Sequence, residues 1–329
     1  KQKTAYEIGV RLVGSEMCIR DRIISYVDHF YFDAVDMAKV MDGAFHGLME
    51  ELDPHSTYIP AEDQENISEL FKGNFQGIGI EFDILEGFIT VISPVPDSPS
   101  DIVGLMPGDK IIAINGEDAY KITKTEVFEK LRGKKGTKVT VTIGRIGSSK
   151  QFDVTIIRDN IPIYSVGAAT MIDEITVYIF LRRFSATTEK EVVKAIDTLL
   201  AQGMQRLLFD LRGNSGGLLE QAAAISDQFI TTSDTLVYTK GKIKESNQTF
   251  IGSANKGNNS FSLIVLINRG SASASEIVSG AIQDLDRGLV IGETSFGKGL
   301  VQRQLPLNTG AAIRAVSYTH LTLPTICSV

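Results

Sequence analysis

No stretch of the 329 residues approaches 18 consecutive apolar positions, so the sequence predicts no transmembrane helix. The start of the chain also lacks the apolar core of a signal peptide. Basic residues form no long run and the formal net charge is −7, which disfavours nucleic acid or an anionic membrane as the main partner. The chain is long enough for two or three domains with packed cores.

The sequence has only two cysteines, and both lie in segments that do not look native. Cys18 lies in residues 13–22 (VGSEMCIRDR) and Cys327 in residues 316–329 (VSYTHLTLPTICSV). Both segments resemble translated sequencing-adaptor sequence; the alternative is ordinary coding sequence in a frayed helix and a terminal strand. Cysteine content therefore predicts neither a disulfide framework nor a redox compartment.

Histidine is also scarce, which bears on catalysis. His29, His46 and His55 precede a β-rich stretch, and His320 lies in the adaptor-like tail. None lies in the α/β region of the chain, so a Ser-His-Asp triad is not expected there. No cluster of His, Cys, Asp and Glu has metal-ligand spacing, so we expect no metal and no cofactor.

Hydrophobic periodicity divides the chain into regions. Residues 1–22 are doubtful, because part of them is adaptor-like. Residues 23–72 have helical spacing, broken by a proline at position 54. Residues 73–160 predict short strands with two small helices, at 100–105 and 123–131. Residues 161–315 alternate strands with longer helices, as in a layered α/β domain.

The β-rich module begins with the loop Gly77, Ile78, Gly79 and Ile80, which opens a strand predicted to run to Asp83. Such a loop can leave backbone N–H groups pointing into one hollow, where they capture a terminal carboxylate while the edge strand pairs with the peptide. The same glycines could simply serve tight turns.

The rest of the module supports a peptide groove. Residues 107–116 (PGDKIIAING) predict a turn, a strand and a hairpin. The helix predicted over 123–131 carries a capping box and is expected to form the second wall of the groove. Arg132 follows it and could read a peptide, contact the α/β region or be a solvated charge.

Residues 268–276 (NRGSASASE) follow a predicted apolar strand and open a predicted helix. The helix start offers free N–H groups and the positive end of the helix dipole, which stabilise an oxyanion. Serine is also a common helix cap, so this segment alone leaves Ser271, Ser273 and Ser275 open as nucleophile or cap.

A lysine base is the alternative to histidine. Residues 292–302 (GETSFGKGLVQ) place Lys298 between glycines, beside Phe296 and Leu300. Desolvation there would lower the lysine pKa from about 10.4 to the 7–8 that a base needs near neutrality. The amide of Gln302 could orient the amine without adding charge. The other interpretation is a lysine on a surface strand.

Residues 209–217 (FDLRGNSGG) lie where another predicted strand ends and a helix begins. Paired glycines there could offer an N–H group to an oxyanion. The spacing fits neither a Walker phosphate loop nor a dinucleotide fingerprint.

Residues 209–217, 268–276 and 292–302, in this order after the β-rich module, resemble the C-terminal processing peptidases, and residues 73–160 resemble a PDZ domain. The resemblance covers about residues 23–315 and includes residues 52–58 (LDPHSTY). It implies Ser273 as nucleophile, Lys298 as general base and Gln302 as supporting amide.

The family pattern implies further site residues. Gly217 and Ala274 match the donors of the oxyanion hole, and Asp284 matches an acidic position with a structural role. The peptide-binding loop of the PDZ domain would be residues 77–80. The resemblance implies no cofactor.

The implied fold is an α/β peptidase core of the crotonase-like, ClpP-like kind, with an inserted PDZ domain and an N-terminal helical region. The implied partners are protein or peptide substrates with free C termini, and a homo-oligomer or an adaptor protein. Family members are often periplasmic, membrane-anchored or lumenal, which implies a periplasmic or membrane-associated location in a bacterium. The family's C-terminal segment is expected beyond Ala315.

The primary hypothesis is an active Ser/Lys serine endopeptidase that cleaves near C termini. The alternative is a non-catalytic PDZ adaptor or chaperone on a peptidase scaffold. Intact Ser273, Lys298 and Gln302 favour the first. A third interpretation, an acyl-CoA enzyme with the same core, gives no reason for the PDZ module.

Overall fold

The computed structural model describes residues 19–148, 150–242, 244–254 and 261–321. The adaptor-like segments are therefore described only in part, and both cysteines lie outside the described residues. Two compact units make up the chain: a smaller one up to Gln64 with Gln302–Ser317, and a larger one over Glu65–Val301 with the residues from Tyr318. Across the described ranges, no helix combines the length and the apolar character needed to cross a bilayer.

The smaller unit begins with helices, and its later residues form strands. Asp36 caps its second helix by accepting a hydrogen bond from the Lys39 N–H group. A small core of Met49, Tyr58 and Ala311 holds the unit together. The elements are α1 (19–30), α2 (Met37–Glu50), β1 (Thr57–Ile59), the start of α3 (Ala61–Lys72), most of β17 (Val301–Pro306) and the first residues of β18 (Ala312–Leu321), which pair with β1.

The β-rich module is an antiparallel sheet with two short helices. The main sheet has the order β3-β4-β5-β7-β8, with β6 on β5, while β2 and β9 form a separate pair. The elements are β2 (Asn74–Gly77), β3 (Ile80–Leu85), β4 (Phe88–Pro94), α4 (Pro99–Ile102), β5 (Lys110–Ile114), β6 (Glu117–Asp118), α5 (Lys124–Leu131), β7 (Lys138–Gly144), β8 (Phe152–Ile157) and β9 (Asp159–Pro162).

Two details of the module differ from the sequence prediction. The strand expected from Gly77 to Asp83 is broken, because Gly79 adopts a φ of 81° that turns the chain between β2 and β3. The helix expected up to Leu105 stops at Ile102, because Gly104 adopts a φ of 79°.

The α/β domain is built on a sheet of order β10-β11-β12-β15-β16, in which only the β10–β11 pair is antiparallel. Its core joins the apolar strands to three helices. The elements are β10 (Val166–Met171), β11 (Thr176–Leu181), α6 (Thr188–Leu200), β12 (Arg206–Asp210), α7 (Leu219–Phe229), β13 (Thr235–Gly241), β14 (Gln248–Ile251), β15 (Ser262–Ile267), α8 (Ala274–Asp284) and β16 (Leu289–Gly292). The sequence prediction missed the strands β1, β2, β9, β10, β13, β14, β17 and β18.

This topology places the predicted catalytic loops together. β12 and β15 are parallel neighbours, with Asp210 opposite Leu266 near their carboxyl ends. The glycine loop, within residues 209–217, follows β12. The serine turn, within residues 268–276, follows β15, and the lysine segment, within residues 292–302, follows β16. All three therefore leave the same edge of the sheet, where ligands of open α/β sheets bind.

Candidate active site

The structure separates the three candidate serines. Ser271 and Ser275 are fully buried, and their hydroxyl groups donate to the carbonyl oxygens of Leu211 and Asn214, each at 2.8 Å. These two serines bind the serine turn to the glycine loop. Ser273 is partly exposed. Of the three, it is therefore the one whose hydroxyl group a substrate can reach.

Ser273 has an unusual backbone conformation that presents its side chain at a helix start. Its φ is 54° and its ψ is −109°, and it precedes the first residue of α8. A non-glycine residue in such a region costs about 1–3 kcal/mol and is commonly found at active sites. Ala274, the first residue of α8, is buried, and its N–H group has no acceptor within the helix. The turn thus places a hydroxyl group beside a backbone donor.

A buried carboxylate, Glu276, lies under this turn and joins it to the lysine segment. Its side chain is 1% exposed and accepts a hydrogen bond from the N–H group of Ser273 at 2.6 Å. It also accepts from the Ser295 hydroxyl at 2.7 Å and from the N–H groups of Gly297 and Lys298 at 2.6 and 2.9 Å. Sequence reasoning did not identify Glu276 as a functional residue.

Lys298 lies in an irregular segment between β16 and β17, and it is half-buried. Its N–H group and that of Ser273 bind the same carboxylate oxygen, Oε2 of Glu276. The backbone nitrogens of Ser273 and Lys298 can therefore be no farther apart than the sum of their two distances to Oε2 of Glu276. Phe296 does not provide the expected shield for the lysine, because its side chain is 61% exposed; Leu300 is half-buried.

The glycine loop closes the other side of the serine turn. A Cβ built on Gly216 would lie 3.0 Å from the Cβ of Ser273 and 3.0 Å from the nitrogen of Ala274. Gly217 pairs with Phe184 through the Gly216 carbonyl and the Leu218 N–H group. In this pairing the N–H group of Gly217 points away from Phe184. Gly216 was not predicted as a site residue, although the double glycine was visible in the sequence.

Two more predicted site residues are Asp284 and Gln302. Asp284 is the last residue of α8, about 15 Å along the helix from its start, and its side chain is exposed. Gln302 belongs to the smaller unit, where its side-chain amide donates to the carbonyl oxygen of His55. The roles of both residues remain predictions.

The predicted peptide-binding loop of the β-rich module, residues 77–80, accepts hydrogen bonds on one side from two serines. The carbonyl of Ile78 accepts from the Ser100 N–H group, and the carbonyl of Gly79 accepts from the Ser98 hydroxyl, both at 2.9 Å. In a trans peptide the N–H group is opposite the carbonyl, so the N–H groups of Gly79 and Ile80 point away from this support. The loop geometry suits capture of a carboxylate.

The strand and helix beyond this loop form two walls. β3 is an outer strand of its sheet, paired on one side with β4 in the described residues. Phe82 of β3 and Phe128 of α5 are in edge contact, with ring centroids 5.5 Å apart. An extended peptide could add to the outer edge of β3 beside α5.

Arg132 is not a solvated loop charge. Its guanidinium group donates to the Asn66 side chain at 2.9 Å and to Glu69 at 2.7 Å, both on α3. The same group lies over the rings of Phe75 and Phe128 at 4.9 and 4.8 Å. Arg132 therefore joins α3 to the β-rich module.

Comparison with known proteins agrees with this architecture. Residues 175–324 match the model of peptidase family S41, and residues 68–144 match that of the PDZ domain. The chain is 36% identical to the carboxy-terminal-processing protease of Bartonella bacilliformis over 89% of this chain and 68% of that protein. It is 35% identical to the carboxy-terminal processing protease CtpA of Bacillus subtilis, over 89% of this chain and 62% of that protein.

A solved photosystem II D1 C-terminal processing protease aligns with 91% of this chain and 80% of its own chain, at 24% identity and a TM-score of 0.48. The chain spans about two thirds of the length of the two sequence relatives. The identity and coverage of the first relative, together with the two domain matches, show that the chain belongs to the carboxy-terminal processing serine proteases of peptidase family S41.

Proposed function

We propose that this chain is an active serine endopeptidase that cleaves protein substrates near their C termini, with Ser273 as nucleophile and Lys298 as general base. The observation that carries the proposal is the strained, partly exposed Ser273 at the start of α8, joined through Glu276 to the backbone of Lys298. A neutral lysine amine would take the proton of the Ser273 hydroxyl as its oxygen attacks the scissile carbonyl carbon.

The oxyanion of the tetrahedral intermediate would accept hydrogen bonds from the N–H groups of Ala274 and Gly217. Collapse breaks the peptide bond, and the lysine ammonium returns the proton to the leaving amine. Water then hydrolyses the acyl-enzyme with the lysine again acting as base. The family resemblance supports Gln302 as the amide that orients Lys298 and Asp284 as a structural carboxylate. The core is proposed to be of the crotonase-like, ClpP-like kind.

Substrate selection is proposed to begin at the PDZ domain. The N–H groups of Gly79 and Ile80 would bind the free carboxylate of the substrate, while β3 pairs with the residues before it. A homo-oligomer or an adaptor protein remains a proposed partner. A periplasmic or membrane-associated location in a bacterium is proposed from the family resemblance.

The decisive experiment uses Ser273→Ala and Lys298→Ala with a peptide that has an apolar free C terminus. We expect both variants to bind the peptide, measured by fluorescence anisotropy, and to release no product. Lys194→Ala, on an exposed position of α6, is the matched lysine control and should cleave at the wild-type rate. Full cleavage by Lys298→Ala would exclude the lysine base.

The same experiment separates the protease from a non-catalytic adaptor. An adaptor would bind the peptide in the wild-type chain but release no product above the level of Ser273→Ala. Amidation of the peptide C terminus should weaken binding if the loop at Gly79 recognises a carboxylate.

A further inference from the structure

The Glu276 carboxylate accepts four hydrogen bonds within the candidate site. Two of its donors, the Ser273 and Lys298 N–H groups, meet at Oε2. The other two, the Ser295 hydroxyl and the Gly297 N–H group, meet at Oε1. Oε2 thus binds both the serine turn and the lysine segment, whereas Oε1 binds the lysine segment through two donors.

The lysine segment has little regular structure of its own. The residues after Gly292 form neither helix nor strand until β17 begins at Val301. Another contact joins it to the serine turn, since the Phe296 N–H group donates to the Ser271 carbonyl at 3.0 Å. Three donors from Ser295, Gly297 and Lys298 converge on Glu276. A carboxylate that is 1% exposed and accepts charge-assisted hydrogen bonds makes a strong attachment.

We propose that Glu276 is a positioning residue of the protease, which sets the placement of the Lys298 segment relative to the Ser273 turn. The inference rests on the proposed Ser/Lys mechanism, and it adds a residue that neither contacts substrate nor transfers a proton. Because Glu276 also occupies the N–H group of Ser273, that group is not available to the oxyanion. The oxyanion donors are then the N–H group of Ala274 and one from the glycine loop.

The isosteric variant Glu276→Gln tests the proposal. In this variant the amide NH₂ group would replace one carboxylate oxygen and would face N–H groups that donate to that oxygen in the wild type. Two donors cannot bond each other, so the lysine segment would move. Displacement of a catalytic group by about 1 Å can cost about 100-fold in rate. We expect kcat to fall about 100-fold and KM to stay within about twofold, because the peptide-binding loop and β3 are unchanged.

Glu191→Gln is the matched control. Glu191, near the start of α6, also accepts two backbone N–H groups, from Ser165 and Val166 at 2.8 and 3.0 Å, and the Thr187 hydroxyl at 2.6 Å. It therefore has a similar bonding pattern, with one backbone donor fewer than Glu276, and no bond from the Ser273 turn or the lysine segment appears among its hydrogen bonds. We expect kcat per folded molecule to stay at the wild-type value in Glu191→Gln.

The measurements are kcat and KM for peptide cleavage, the rate of labelling of Ser273 by a fluorophosphonate, and the folded fraction by circular dichroism. A positioning role predicts that kcat and the labelling rate fall together in Glu276→Gln. Wild-type kcat and labelling in folded Glu276→Gln would overturn the proposal. An equal fall of kcat in Glu191→Gln would also overturn it, because the effect would then be a general loss of packing.

If Glu276→Gln does not fold, Ser295→Ala provides the test. It removes one donor from the half-buried lysine segment and leaves the other three bonds. We expect kcat to fall about fivefold with unchanged KM; unchanged kcat would overturn the proposal. Ser273→Ala is measured in parallel. Cleavage by Ser273→Ala would refute the proposed function itself, whereas an inactive Ser273→Ala beside a fully active Glu276→Gln would refute only the role of Glu276.

Discussion

Gly216 packs directly against Ala272, since a Cβ built on Gly216 would lie 2.7 Å from the Ala272 carbonyl oxygen. Real Cβ atoms do not approach a backbone oxygen this closely, so one of the two loops must move if the side chain is enlarged. Gly216 also has a φ of 101°, which disfavours any L-residue with a side chain.

We therefore predict that Gly216→Ala displaces the Ser273 turn and lowers kcat by about 100-fold. Gly213→Ala is the matched control, because Gly213 lies in the same loop with a φ of 72°, but a Cβ built on it would meet no atom within 4 Å. It should cost about 1–2 kcal/mol in unfolding free energy from backbone strain alone and retain wild-type kcat. Equal kcat values for the two variants would show that the close approach to Ala272 is not needed for catalysis.

The buried hydroxyl of Ser275 gives a second prediction, which contrasts stability with catalysis. Ser275→Ala removes the 2.8 Å hydrogen bond to the buried Asn214 carbonyl, which keeps the Ala272 N–H group as a donor at 3.1 Å, and should cost about 0.5–1.5 kcal/mol in unfolding free energy. We expect it to remain able to cleave peptide. Ser273→Ala should do the opposite, with unfolding free energy within about 0.5 kcal/mol of wild type and no cleavage. Urea unfolding and a cleavage assay on both variants distinguish the two serines.

The local elements of the fold were predictable because their signals lie close together in the sequence. The α5 helix has the predicted capping box, in which Glu126 and Thr123 exchange hydrogen bonds. Asn115 and Gly116 have positive φ values of 52° and 82°, as a two-residue hairpin turn requires. Each of these features depends on residues within a few positions of one another.

The parts of the fold and of the site that were not predicted depend on contacts between segments far apart in the sequence. The missed strand β13 pairs with β14 and with the end of β18, and that last pairing joins residues about 80 positions apart. The role of Glu276 could not be found from its capping position alone, because three of its four donors come from residues 295–298. A glutamate three residues after a serine ordinarily indicates only a helix start.

Asp210 at the end of β12 gives a prediction about pH. Burial alone would raise the pKa of this carboxyl group, but the hydrogen bonds from Arg212 and Tyr178 outweigh burial and hold the pKa below its ordinary value. Because the unfolded-state pKa is about 3.9, the stability that ionised Asp210 contributes is complete above that pH. It is lost as the pH falls through the lower folded-state pKa.

We predict that Asp210→Asn lowers the free energy of unfolding by about 1–3 kcal/mol at pH 7. The difference from wild type should shrink as the pH falls below 4. Urea unfolding between pH 7 and pH 3 measures both quantities. Asp197→Asn removes the same charge from an exposed position of α6 and should stay within about 0.5 kcal/mol of wild type at each pH. A difference for Asp210→Asn that is independent of pH would contradict the assigned role of the ionised carboxylate.

The final prediction concerns the attachment of α3 to the β-rich module through Arg132 and Glu69. Burial raises the pKa of the Glu69 carboxyl, and the charge of Arg132 offsets part of that rise. The side chains of Glu69 and Arg132 are only 16% and 31% exposed, so the pair is better shielded from water than a surface ion pair. Arg132→Ala would leave the carboxylate without its counter-charge and uncover the rings of Phe75 and Phe128.

We expect Arg132→Ala to lower the free energy of unfolding by about 1–3 kcal/mol. Arg132→Lys should recover only part of this loss. Both hydrogen bonds come from Nη1, which a single ammonium nitrogen could replace, but an ammonium group has no flat face to stack on the rings of Phe75 and Phe128. In a double-mutant cycle, Glu69→Gln combined with Arg132→Ala should give a coupling energy of at least about 0.5 kcal/mol. Lys130→Ala is the control: Lys130 pairs with the largely exposed Glu117, so its loss should cost no more than about 0.5 kcal/mol. A coupling energy near zero between positions 69 and 132 would mean that the Glu69–Arg132 ion pair does not help to hold α3 to the module.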